Sequence, residues 1–113
     1  MNFVTDEQGG VKILRISEPR LDTNLAPELK AQILGLLDEG ERKIILDLGD
    51  VEYADSSGLG AILFGIRMAR DVEGQCKLIN LNNRVLSLIK IAKLDHVIEA
   101  YDDEAEAVSS FSA

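Results

Sequence analysis

The chain has 113 residues, with 20 Asp and Glu against 12 Lys and Arg, so it carries a net charge of −8 at neutral pH. That length suits one domain over residues 1–113, and 46% hydrophobic residues are enough to build a core without a disorder signature. The acidic balance argues against a nucleic-acid partner, whose phosphates are met mainly by Lys and Arg, and against an anionic membrane surface.

Phe3-Val4-Thr5 and Val11–Ile16 flank Gly9-Gly10 and predict two strands joined by a tight turn. In the second, Val11 and Ile13 fall on one face and Leu14 and Ile16 on the other, as in a strand covered on both sides. Glu18-Pro19-Arg20 breaks the pattern. A helix follows from Asn24, a candidate N-cap, with Pro27 and Glu28 in its first turn. Leu25, Leu29, Ile33, Leu36 and Leu37 form its apolar face, and Gly40 marks its end.

Lys43–Leu48 is nearly continuous in apolar residues and predicts a central strand. After a connection over residues 49–54, a second helix is expected from about Ser57 to Asp71, followed by a turn ending at Gly74. Cys76–Leu81 alternates as a strand; Asn82 or Asn83 then caps a helix carrying Val85, Leu86, Ile89 and Ala92. Asp95–Ile98 reads as a short last strand, and Asp102 as the cap of a final helix with Ala105, Val108 and Phe111 as its stripe. The order β-β-α-β-α-β-α-β-α implies an α/β fold: a mixed, mostly parallel sheet of four to five strands with about four helices, its N-terminal hairpin antiparallel.

Catalytic chemistry is poorly supplied. The single histidine, His96, gives little scope for a Ser-His-Asp arrangement, and the single cysteine, Cys76, reads as a small core residue. Neither a phosphate-binding glycine loop nor a metal-ligand spacing is present, so no cofactor and no metal is expected. The longest apolar run, Leu59 to Ile66, is far shorter than the roughly 20 residues of a membrane helix, and the N-terminal residues show no secretory pattern. We therefore expect a soluble cytoplasmic protein that is not an enzyme.

Asp55-Ser56-Ser57-Gly58-Leu59-Gly60 stands out, between the central strand and the second helix, where open α/β folds place functional loops. Its two hydroxyls can cap the helix, act as nucleophiles if a base lies nearby, or accept a phosphoryl group favoured by the helix dipole. A phosphate adds about −1.5 to −2 charges to a segment already holding Asp50, Glu52 and Asp55. Along the helix, Leu59, Ile62, Leu63, Ile66 and Ala69 form the sheet-facing stripe. Ala61, Phe64 and Met68 point the other way, toward either a partner or another helix.

The strand Ile44–Leu48, the connection Asp50–Ala54 and the Asp55-Ser56-Ser57-Gly58-Leu59-Gly60 element closely resemble the bacterial anti-sigma factor antagonists of the STAS domain family. The likeness runs from the N-terminal hairpin to Leu94–Ile98. It implies a STAS-like fold and a partner-switching role. In that role, the resemblance implies, the unphosphorylated form would bind an anti-sigma factor serine kinase and free a sigma factor, phosphorylation would abolish binding, and a PP2C-type phosphatase would reset the switch. The acceptor implied here is Ser57, with Ser56 as the alternative, and Asp55 shapes the loop. Asp22, in the first loop beside Thr23, matches an acidic position of the partner face, although Glu18-Pro19 replaces the glycine usual near the start of that loop. The resulting partner surface is Asp22, Thr23, Asp55, Ser56, Ser57, Gly58, Ala61, Phe64 and Met68, on a monomer or weak dimer. Two other readings remain: a STAS module of a stress, chemosensory or lipid-transport complex in which Ser57 only caps, and a small hydrolase using Ser56 or Ser57.

Overall fold

Alternation along three strands decides the architecture of the computed structural model, which describes residues 2–112. Strands β1 (Phe3–Gln8), β2 (Val11–Ile16), β4 (Lys43–Asp47), β6 (Gln75–Ile79) and β7 (Ala100–Tyr101) form one sheet in the order β1-β2-β4-β6-β7. The β1–β2 hairpin is antiparallel and every other pairing is parallel. Helices α1 (Ala26–Asp38), α2 (Ser56–Asp71), α3 (Asn83–Ile91) and α4 (Glu104–Ser110) complete the order. The mixed, mostly parallel sheet with four helices is the expected one.

On one face, Leu14 and Ile16, Ile44 and Leu46, and Cys76 and Leu78 join the apolar sides of α1, α2 and α3 in the main core. On the other face, Val11, Ile13, Ile45 and Ile79 make a smaller cluster closed by Ala107, with Val108, Phe111 and Tyr101 packed against it. Cys76 is the buried core residue expected, and burial pushes its thiol up to about 12.

The second face also carries charge. Arg15 and Asp47 lie opposite each other on neighbouring strands. The Arg15 guanidinium reaches Asp6, Asp47 and Glu104 at 2.6, 2.8 and 2.8 Å, tying β1, β2, β4 and α4 together. Lys77, 4% exposed, donates to Ser110 Oγ and pairs with Glu99 at 2.9 Å, with its ammonium 4.4 Å from the Phe111 ring centre. Burial pushes the Asp47 carboxyl up, but hydrogen bonds from Arg15, the Gly49 N–H and Asn80 outweigh it and leave the group below its ordinary value. A carboxylate lowered in the folded state adds stability that is complete above its unfolded value and is lost as pH falls through the folded one. Urea midpoints should therefore drop between pH 6 and pH 3, and Arg15→Gln should shrink that drop while lowering stability at pH 6 by about 2 kcal/mol. An unchanged pH profile in the variant would mean that the Arg15 cluster adds nothing.

Several local expectations are corrected. Strand β3 (Arg20–Leu21) pairs in parallel with β5 (Tyr53–Ala54) in a separate small sheet that the residue pattern does not foretell. Asn24 does not cap α1. The Asp22 carboxylate accepts the N–H groups of Asn24 and Leu25, so the chain turns before the helix that carries Pro27. The last strand is Ala100–Tyr101 rather than Asp95–Ile98, because Val97 and Ile98 donate back to the Leu94 carbonyl in a turn. His96 lies exposed in that turn. The cap of α4 is Asp103 rather than Asp102, and Ala107 rather than Ala105 is its buried residue.

Candidate functional site

The Asp55-Ser56-Ser57-Gly58 element opens α2, and its first side chain is the cap. Asp55 has an extended backbone, and its Oδ1 accepts the Gly58 N–H at 2.9 Å. The capping role open to the serines is thus taken by Asp55, which is three residues before a backbone N–H as the geometry requires. Neither hydroxyl is engaged in capping. Asn82 repeats the arrangement at α3, accepting from Val85, and its amide donates to the carbonyls of Val51 and Glu52. The connection ahead of the serine loop is therefore fastened to the start of α3.

The loop that ends in Thr23 meets this helix start because β3 lies against it. The Leu21 carbonyl accepts the Asp55 N–H, and a Cβ on Gly58 would lie 2.1 Å from that carbonyl oxygen. Only glycine permits this approach. It brings Thr23 over the first turn, where Thr23 Oγ1 donates to Ser57 Oγ at 3.2 Å and lies 3.5 Å from Asp55 Oδ2. Ser57 is half-buried and Ser56 exposed. Asp22, Thr23, Asp55 and Ser57 are thus brought together across more than thirty residues of sequence.

The expected surface on α2 is smaller than the helical wheel implies. Ala61 is fully buried and belongs to the main core, so it offers nothing to a partner. The reason is α1, which crosses so near that a Cβ on Gly65 would lie 2.5 Å from Ile33 Cδ1. Met68 is half-buried against the main core, and Phe64 is half-buried with the Lys30 ammonium 5.4 Å from its ring centre. Gly58 is buried as well, holding two loops together instead of facing outward. No residue pattern marks Leu21 as a builder of the site, since its contribution is a backbone carbonyl.

Among the described residues no group of three or more His, Cys, Asp or Glu is placed to hold a metal ion, and no helix is long and apolar enough to cross a membrane. The STAS domain family model matches residues 2–107, which spans the sheet, the serine loop and most of α4. The chain belongs to the STAS domain family. A Bacillus subtilis relative named anti-sigma-B factor antagonist is 33% identical over 79 residues, covering 70% of this chain and 72% of the relative. The anti-sigma F factor antagonist of Paenibacillus polymyxa is 28% identical over 101 residues, covering 88% and 86%. Among solved structures, a Thermotoga maritima protein assigned as an anti-sigma factor antagonist superimposes with a TM-score of 0.91 at 28% identity, covering 98% of this chain and 95% of that one. The fold and the family expected from the Asp55–Gly60 element are those found.

Proposed function

We propose that this chain is one STAS domain working as an anti-sigma factor antagonist in a partner-switching system. Its unphosphorylated form binds an anti-sigma factor that is a serine kinase, and so releases a sigma factor. That kinase transfers the γ-phosphoryl group of ATP to Ser57. The Ser57 Oγ–P bond forms, the bond between the γ-phosphorus and the β,γ-bridging oxygen breaks, ADP leaves, and the hydroxyl proton passes to a base of the kinase. The modified form no longer binds, and a PP2C-type phosphatase restores it. The names of the relatives support the class of function.

One observation carries the assignment of the switch: Asp55 already caps α2, so Ser57 sits in the first helical turn with its hydroxyl spared that duty. The dipole of the 16-residue α2 favours an anion at this end. The partner surface comprises Asp22, Thr23, Asp55, Ser56 and Ser57, with Phe64 and Met68 at its margin and Gly58 supporting it from within. The protein supplies a surface and a hydroxyl, while nucleotide, metal and catalytic base come from the partner.

Unphosphorylated protein used as bait in host lysate should recover a serine kinase. Incubation with that kinase and ATP should add one phosphate, and Ser57→Ala should lower incorporation at least a hundredfold. Phosphate on Ser56, or undiminished incorporation in the variant, would refute the site.

A further inference from the structure

Ser56 and Ser57 share a dipeptide, a helix end and a functional group, so their chemistry alone gives no preference. Their surroundings do. Ser56 is exposed and makes no side-chain hydrogen bond among the described residues, whereas Ser57 is half-buried with Oγ 3.2 Å from Thr23 Oγ1. We propose that Thr23 is a positioning residue for the acceptor: its hydroxyl, set between Ser57 Oγ and the Asp55 carboxylate, holds the Ser57 side chain in one rotamer and stays beside it once it is modified. The proposal rests on the reading of Ser57 as the acceptor.

Three features make Thr23 a fixed neighbour of Ser57 despite its place on an exposed loop. The residue two before it, Leu21, is held in β3, and its carbonyl takes the Asp55 N–H. The residue before it, Asp22, locks the loop by accepting from Asn24 and Leu25. On the far side, Asp55 Oδ1 is committed to the Gly58 N–H, which leaves Oδ2 turned to Thr23 at 3.5 Å. Backbone ordering is therefore supplied by groups other than the hydroxyl pair, and a hydrogen bond between preorganised partners loses less entropy than one between free side chains.

The 3.2 Å contact restrains Ser57 Oγ whichever of the two hydroxyls supplies the hydrogen, with the Asp55 carboxylate as a further acceptor for Thr23. A hydroxyl held in one staggered rotamer presents its oxygen to the γ-phosphorus from a constant direction, which favours transfer over an averaging neighbour. Ser56 lacks such a restraint. After transfer, a Thr23 hydroxyl beside the phosphate stabilises its dianion, in opposition to the nearby Asp55 carboxylate.

Both halves can be tested without any kinase. In the unmodified protein, three-bond NMR couplings should show one dominant χ1 rotamer for Ser57 and averaging for Ser56. Thr23→Val, which keeps the shape and removes the hydroxyl, should bring Ser57 to the averaged values, and Thr23→Ser should restore the wild-type ones. With phosphoserine encoded at position 57, a ³¹P titration should show the second ionisation raised by about half a unit to one unit in Thr23→Val, and near wild type in Thr23→Ser. Amide spectra superimposable away from the loop would show that the fold is kept. Ser57 couplings already averaged in the wild-type protein, or either readout unmoved by Thr23→Val, would overturn the proposal. Failure of the kinase to modify Ser57 would be seen separately, as a failure of the functional reading.

Discussion

Alanine at position 58 is expected to destabilise the protein by about 3 kcal/mol and to lower the urea midpoint by roughly 1–2 M. The added Cβ would lie 2.1 Å from the Leu21 carbonyl oxygen and 2.9 Å from its carbonyl carbon, atoms of a backbone that is itself paired in β3. A flexible side-chain tip could swing aside; a strand carbonyl cannot. The substitution also gains about 1 kcal/mol of helix propensity, so the net loss understates the clash. Gly60, two residues on in the same helix, is exposed, and a Cβ added there would meet no atom within 4 Å. Gly60→Ala should therefore stabilise the protein by up to about 1 kcal/mol. Opposite signs at positions 58 and 60 are the diagnostic. Equal stability of the two variants would show that β3 is free to move off α2, and the Thr23–Ser57 contact would then have no rigid basis.

Why the serine loop is legible in the sequence and its partner loop is not follows from the range of the forces involved. Helix caps and alternation are local, so β2, β4 and β6, the Asn82 cap and the end of α1 near Gly40 can be read from neighbouring residues. The cap of α2 requires a choice among Asp55, Ser56 and Ser57, all competent acceptors, and the N–H of Gly58 selects the residue three before it. Strands β3 and β5 have two residues each, too few for a period. They exist because Pro19 and Leu21 carbonyls find the N–H groups of Glu52, Tyr53 and Asp55. The hydroxyl pair of Thr23 and Ser57 spans 34 positions and depends on the bare α-carbon of Gly58. Ala61 is misplaced by periodicity for a related reason. A helical wheel separates the face toward the sheet from the rest, but α2 has a second neighbour in α1, and Ala61 is buried beneath it. Small residues at Ala61 and Gly65 are the available sign of a close helix crossing.

A phosphate on Ser57 is expected to weaken binding to the recovered kinase at least a hundredfold, whereas Ser57→Asp should weaken it by only about tenfold. Each tenfold step corresponds to about 1.4 kcal/mol, so a hundredfold loss is about 3 kcal/mol, within reach of burying an unpaired charge in an interface. The phosphate brings about −1.5 to −2 charges and three acceptor oxygens; a carboxylate brings one charge on a shorter arm. Either group enters a turn that already holds the Asp55 carboxylate, in a chain of net charge −8. Two causes compete: crowding at the half-buried Ser57 with the burial of a dianion beside Asp55, which is the one expected here, and long-range repulsion between like charges. These two causes differ in their response to salt. Raising the ionic strength from 0.1 to 1 M shortens the screening length from about 10 to 3 Å, which weakens exposed charge effects and leaves steric ones in place. Titration calorimetry of the three forms at both salt concentrations should keep the phosphorylated form at least thirtyfold weaker throughout. Recovery of wild-type affinity by the phosphorylated form at high salt would show that long-range repulsion, rather than the crowded turn at Ser57, works the switch.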